Sequence, residues 1–139
     1  MADLTEAIIL AATMHKGQYD KGGLTYILHP LRVMLKASDD ETRIVSMLHD
    51  IVEDTAMTLE NLKELGFSER VVSAIDSLTK RDGETYPDFI QRVKSNELGT
   101  HVKLLDIEDN KDLTRIPNPT QKDFDRIAKY EKAESELKN

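Results

Sequence analysis

At 139 residues, with 39% hydrophobic and 32% charged side chains, the chain has the composition of a globular protein and not of a disordered segment. A net charge of −7 argues against nucleic-acid phosphates as the main partner, and the absence of cysteine removes disulfides and thiolate metal sites and makes the cytoplasm the expected compartment. No apolar run approaches the roughly 20 residues that cross a bilayer, so no membrane partner is expected.

In chain order, Leu4, Ile8, Ala11 and Ala12 recur at helical spacing and predict a first helix over 3–16. Asp3, Thr5 and Glu6 interrupt its apolar positions, and no basic region precedes them, so the segment reads as a helix and not a signal peptide. Three glycines make 17–27 a loop. "HPLRVMLKAS" starts a second helix with Pro30 in its first turn. Asp39 or Asp40 caps a third helix, expected to run without a break through Ile44, Val45, Leu48 and Ile51. Thr58 caps "LENLKEL", which stops at Gly66, and Ser68 caps "ERVVSAIDSL". Residues 79–86 form a loop, and Pro87 opens "PDFIQRVKS". A helix is expected over 101–113, "TRIPNPT" ends it with two prolines, and a last helix fills 121–137. No strand alternation appears. The expectation is an all-α bundle of about eight short helices in one domain, 1–139.

The stretch "MLHDIVEDT", 47–55, sets His49, Asp50, Glu53 and Asp54 among Leu48, Ile51 and Val52. On a continuous helix, His49/Glu53 and Asp50/Asp54 are i,i+4 pairs on adjoining parts of one surface, with the apolar residues anchoring the other side. Residues 39–64 carry eight acids against Arg43 and Lys63, a net −6, which reads as an acidic solvated face or, more sharply, as a cation site. Further ligands must come from elsewhere. His29 stands where a loop becomes a helix, among Tyr26, Ile27, Leu28 and Leu31. Asp106 follows Val102, Leu104 and Leu105, and a carboxylate in such apolar company needs a partner; Asn110 lies one turn on. Two imidazoles and two carboxylates suit one divalent ion such as Mn²⁺, Fe²⁺, Zn²⁺ or Mg²⁺. His101 reads as a surface residue.

Taken in order, "AATMHKGQYDKGGLTYILHPLRV", "SMLHDIVEDT", "SLTKRDGETYPDFIQRV" and "VKLLDIEDN" resemble the hydrolase-type HD domains of the RelA/SpoT family. They are similar above all to the single-domain small alarmone hydrolases. The resemblance implies an all-α HD fold around one divalent metal, with manganese first, held by His29, His49, Asp50 and Asp106. It implies water activation by Glu53 and Asp54 and a nucleotide-sugar contact at Asn110, and His15 matches a family position as well. For substrate phosphates it points to Lys21, Lys80, Arg81 and Arg92, with Lys80 and Arg81 on a loop expected to close over the substrate beside Tyr86. The implied activity is that of a metal-dependent phosphohydrolase on a small phosphorylated nucleotide, with the 3′-pyrophosphate of guanosine tetraphosphate foremost. Two alternatives stay open: an HD phosphatase for another nucleotide, such as a nucleoside monophosphate or a nicotinamide dinucleotide phosphate, and a non-catalytic nucleotide-binding or antitoxin-like protein. One departure bears on the choice. The family's alarmone hydrolases carry a basic pair before the "YI-HP" motif, and the matching positions here are Asp20 and Lys21. Lys111 and Asp112 follow Asn110 where the family often has arginine.

Overall fold

The computed structural model describes residues 1–139 as nine helices and no strand. They are α1 (Leu4–Met14), α2 (Leu28–Lys36), α3 (Asp40–Leu48), α4 (Ile51–Asp54), α5 (Leu59–Glu64), α6 (Glu69–Ser77), α7 (Tyr86–Lys94), α8 (Glu97–Asn110) and α9 (Gln121–Lys138). The caps explain most boundaries. Asp3, Asp39, Ser68, Thr85 and Asn96 each accept a backbone N–H from the first turn of the helix they precede. Thr58 and Asn61 form a reciprocal capping box at α5. Asn96 starts α8 four residues before the helix expected at 101, because its side chain caps Gly99 N–H and the apolar periodicity gives no sign of that turn.

The all-α expectation holds, but the third helix does not run through to Ile51. It ends at Leu48, and α4 restarts after Asp50, whose backbone (φ −103°, ψ 1°) leaves the helical region. That break makes the ninth helix. Its reason lies in side-chain direction. Consecutive residues of a regular α-helix point about 100° apart, so His49 and Asp50 cannot face one point from an unbroken helix.

α3 is the centre of the molecule, packed against α1, α2, α6 and α8. Residues 44–48 are all buried on it. Its one buried hydroxyl among them, Ser46, donates to Thr42 O at 2.7 Å, so no polar group is stranded there. One apolar cluster draws residues from every helix, with Val45, Met47, Leu48 and Ile51 at its middle. His49 and Asp50 therefore sit at the end of the central, most enclosed helix. No helix is long and apolar enough to cross a membrane.

α8 approaches α6 where Gly99 faces Ser77, whose buried hydroxyl donates to Ala74 O at 2.7 Å. A methyl group at Gly99 would collide with that hydroxyl. Gly99→Ala is expected to cost about 1–3 kcal/mol in chemical denaturation, the usual size of an overpacking penalty. A loss under about 0.5 kcal/mol would mean that Ser77 swings away freely.

Candidate functional site

The break after α3 turns His49 and Asp50 toward His29 at the start of α2 and Asp106 on α8. His29 Nδ1 donates to Asp109 Oδ2 at 2.6 Å, and His49 Nδ1 donates to Ser46 O at 2.6 Å. Both acceptors lack a proton to give, so each ring carries a hydrogen on Nδ1, and Nε2 is the ring atom turned toward the cluster and able to hold an ion. The two Nε2 atoms lie 3.3 Å apart. Asp106 Oδ1 is 2.8 Å from His29 Nε2 and 3.3 Å from His49 Nε2, and Asp50 Oδ2 is 3.2 Å from His49 Nε2. Ligand atoms of His29, His49 and Asp50 all fall within 4.8 Å of one another.

Two imidazole Nε2 atoms aimed at one point and flanked by carboxylates call for positive charge there, from the rings' own protons or from an ion. The surrounding carboxylates act in that direction. Burial pushes both imidazoles down, but Asp106 and Asp109 around His29, and Asp50 and Asp106 around His49, outweigh it and raise both. The donor set and its spacing fit a divalent ion: two nitrogens each about 2.1 Å from one centre lie about 3.0–3.4 Å apart.

The supporting residues complete the design. Asp109, 2% exposed, takes Arg32 Nε at 2.8 Å and Arg32 Nη2 at 3.1 Å besides the His29 hydrogen. A carboxylate behind a metal-facing histidine fixes its tautomer and ring orientation. Tyr26 donates its hydroxyl to Asp50. Burial, then Asp50, push that phenol well above its ordinary range, so it remains a donor. Asn110 donates Nδ2 to Asp106 Oδ1 at 3.0 Å, and Lys103 donates to Asp106 Oδ2 at 2.8 Å.

Above these groups opens a cleft of about 560 Å³, lined by Gln18, Asp20, Lys21, Tyr26, Asp54, Asn110, Arg115, Arg126 and Tyr130 among others. The cleft lies partly between two loops held in close contact. A Cβ on Gly22 would come within 2.5 Å of Arg115 O, so only glycine permits that approach.

Of the groups expected to bind substrate, Lys21 and Asn110 line this cleft, but Lys80, Arg81, Tyr86 and Arg92 do not. Arg92 is consumed as a loop clamp. It binds Glu84 Oε2 at 2.9 Å and donates to Asp76 O and Thr79 O at 3.0 and 2.7 Å. Arg81 leans toward Asp76 at 3.6 Å, and Tyr86 packs beside Phe89 and Tyr130. Beside Lys21, the cleft's cations are Arg32 on α2, Arg115 after α8 and Arg126 on α9. Nothing in the local pattern around "TRIPNPT" or "KDFDRIAKY" distinguishes the last two from surface charges. Asp109 had a weak sequence signal, since it stands at i+3 from Asp106, one turn along the same helix face. His15 is buried, with Nδ1 paired to Gln18 Oε1 at 2.9 Å and its ring against Tyr26.

The acidic pair separates. Asp54 lines the cleft, whereas Glu53 Oε1 accepts the Lys80 backbone N–H at 2.8 Å and ties the 79–85 loop to α4. Burial, then Asp50 and Glu53, push the Asp54 carboxyl up to about 6. A carboxyl raised in the fold favours the protonated state, so its penalty is absent below the unfolded value near 3.9 and complete above about 6. Asp54→Asn is therefore expected to raise the metal-free melting temperature at pH 8 and to leave it unchanged at pH 4. Solvent reaches Asp54, so the gain should be about 1 kcal/mol and not the larger figure a fully desolvated carboxyl would give. Equal melting temperatures at pH 8 would show that Asp54 carries no such strain.

No family model matches the chain. Known proteins do. Over 82 residues the chain is 42% identical to the guanosine-3′,5′-bis(diphosphate) 3′-pyrophosphohydrolase of Aquifex aeolicus, a match covering 56% of this chain and 12% of that protein. Over 89 residues it is 32% identical to the bifunctional (p)ppGpp synthase/hydrolase SpoT of Escherichia coli, covering 61% of this chain and 12% of SpoT. Over those stretches the chain is similar to the SpoT-type proteins. It spans about an eighth of the length of those it matches. The solved structure of a metazoan SpoT ortholog that hydrolyzes ppGpp superposes with a TM-score of 0.76 at 21% identity, covering 96% of this chain and 84% of that one. The all-α fold is thus shared with that SpoT ortholog, as the motif resemblance implied.

Proposed function

We propose that residues 1–139 form a single metal-dependent phosphohydrolase domain acting on a phosphorylated nucleotide, with the 3′-pyrophosphate of guanosine tetraphosphate as its first candidate substrate. The observation that carries the reading is the convergence of His29 Nε2 and His49 Nε2, 3.3 Å apart, with Asp50 and Asp106, where His29 and Asp50 line a cation-rimmed cleft. The names of the SpoT-type relatives supply the substrate class.

His29, His49, Asp50 and Asp106 would hold the ion, and manganese is the first choice, with Fe²⁺, Zn²⁺ and Mg²⁺ as alternatives. When bound, a divalent ion makes water acidic and polarises a phosphoryl oxygen. The protein's own groups do the rest. Asp54, at the cleft wall, accepts the proton of the attacking water. Water adds to the 3′-attached phosphorus as its bond to the ribose oxygen breaks; the proton taken by Asp54 returns to that departing oxygen, leaving a 3′-hydroxyl nucleotide and pyrophosphate. Tyr26 holds Asp50 in place from the cleft side. Lys21, Arg115 and Arg126 receive phosphate charge, and Asn110, fixed through its Nδ2 on Asp106, turns its carbonyl oxygen to the nucleotide sugar. A pure binding protein would have no need of a raised carboxyl at the cleft wall.

The second reading, another phosphorylated nucleotide, is favoured by Asp20. Its Oδ1 accepts from Gly22 N and Leu24 N, both at 2.9 Å. The residue builds its own loop, and no arginine plane is offered to a base there. Replacing Asp20 by Arg would therefore break the loop before adding a stacking surface. Weak discrimination among bases is expected, under about tenfold between guanosine and adenosine tetraphosphates, since a stacking contact contributes about 1–3 kcal/mol. The test is Mn²⁺-loaded protein incubated with both tetraphosphates, a nucleoside monophosphate and a nicotinamide dinucleotide phosphate, with pyrophosphate and phosphate release read separately. Pyrophosphate from the tetraphosphates is expected. Phosphate from the other two alone would assign the second reading, and no release from any would remove the enzyme.

A further inference from the structure

We infer that Lys103 sets the ion preference of the centre by holding Asp106 to a single inward-facing oxygen. The inference rests on the proposed metal reading and concerns a residue outside the ligand set.

Lys103 stands on α8 one turn before Asp106, with 13% of its side chain exposed. Its ammonium is 2.8 Å from Asp106 Oδ2 and lies over the Phe89 ring, 5.3 Å from the centroid. Asp106 is its one carboxylate partner. For stability alone this is a poor arrangement. Sequestering an ammonium costs several kcal/mol, and an apolar side chain of similar length beside Phe89 would avoid the cost. What the charge achieves is visible in Asp106. Oδ2 is taken by Lys103, while Oδ1 faces His29 Nε2 and His49 Nε2 and receives Asn110 Nδ2. The two donors grip the carboxylate from opposite sides, so it offers one oxygen to the cluster and cannot rotate to offer both.

That restriction matters for which ion binds. Ca²⁺ takes six to eight oxygens and readily accepts a bidentate carboxylate, whereas the smaller borderline ions do well with two imidazoles and single carboxylate oxygens. A locked Asp106 therefore disfavours Ca²⁺. Without Lys103 the carboxylate is free to chelate through both oxygens, which favours the harder, oxygen-seeking ion. The lost positive charge raises the affinity of both dications alike and leaves their ratio to the carboxylate. Lys103 acts through Asp106 and is a positioning residue.

The experiment is calorimetric titration of the metal-free protein with Mn²⁺ and with Ca²⁺, giving the ratio of the two dissociation constants. In Lys103→Met the ratio is expected to move toward Ca²⁺ by about tenfold or more, the usual scale for loss of a partner behind a ligand. In Lys103→Arg, which keeps donor and charge, it should stay within about twofold of the wild type. If the Met variant does not fold, Lys103→Leu carries the same expectation. A folded Met or Leu variant with an unchanged ratio overturns the inference, as does an Arg variant that shifts equally. A wild type that binds neither ion overturns the metal reading itself, and this outcome is distinct from the other two.

Discussion

Asp106→Ala and His49→Ala are each expected to abolish the rise in melting temperature that Mn²⁺ confers on the wild type. The reasoning is linkage. An ion that binds the folded state alone stabilises it by RT ln(1 + [L]/Kd), about 2.7 kcal/mol at a hundredfold excess over Kd. For a chain of this length that corresponds to about 9 °C. The ion would join α2, the end of α3 and α8, which supply His29, His49 and Asp106 from distant parts of the sequence. Losing any one ligand removes the join. The metal-free baseline must be measured separately, since Asp106→Ala also strands the Lys103 ammonium and lowers stability without any ion. If both variants keep full metal by elemental analysis and the same increment on heating, the four-ligand assignment is wrong.

The second large effect concerns the acidic pair. Asp54→Asn should retain metal yet lower turnover by about 10² or more, the scale of a general-base contribution. Glu53→Gln should cost much less, under about tenfold, because glutamine keeps the oxygen that accepts the Lys80 N–H and Glu53 does not line the cleft. The residue-by-residue resemblance treats the two acids as one unit, whereas the geometry places one at the cleft wall and gives the other a loop to hold. Equal losses in both variants at unchanged melting temperature would restore joint action. The discriminating measurement is kcat for each variant beside its thermal unfolding curve.

Much of this was legible from residue order alone. Caps at Asp39, Thr58 and Ser68, the apolar spacing on most helices and the absence of strand alternation determine an all-α fold through short-range physics. His29, His49, Asp50 and Asp106 stand out because strong ligands on apolar segments are costly unless they meet. The structure shows the two histidines meeting each other and both carboxylates. Tertiary structure decided what depends on direction and on distant segments. A periodic pattern cannot show that the helix breaks after Leu48, because the break serves neighbours 20 and 57 positions away, at His29 and Asp106. It cannot show that Arg92 lies away from the cleft, clamping a loop, while Arg115 and Arg126 line it, since which face an arginine reaches is set by packing. Nor does it reveal that Asp20 caps its own loop, that Glu53 faces Lys80, or that Lys103 grips the far oxygen of Asp106. Spacing records which groups are present on a face. Only the packed helices determine which lone pair each group has left to offer.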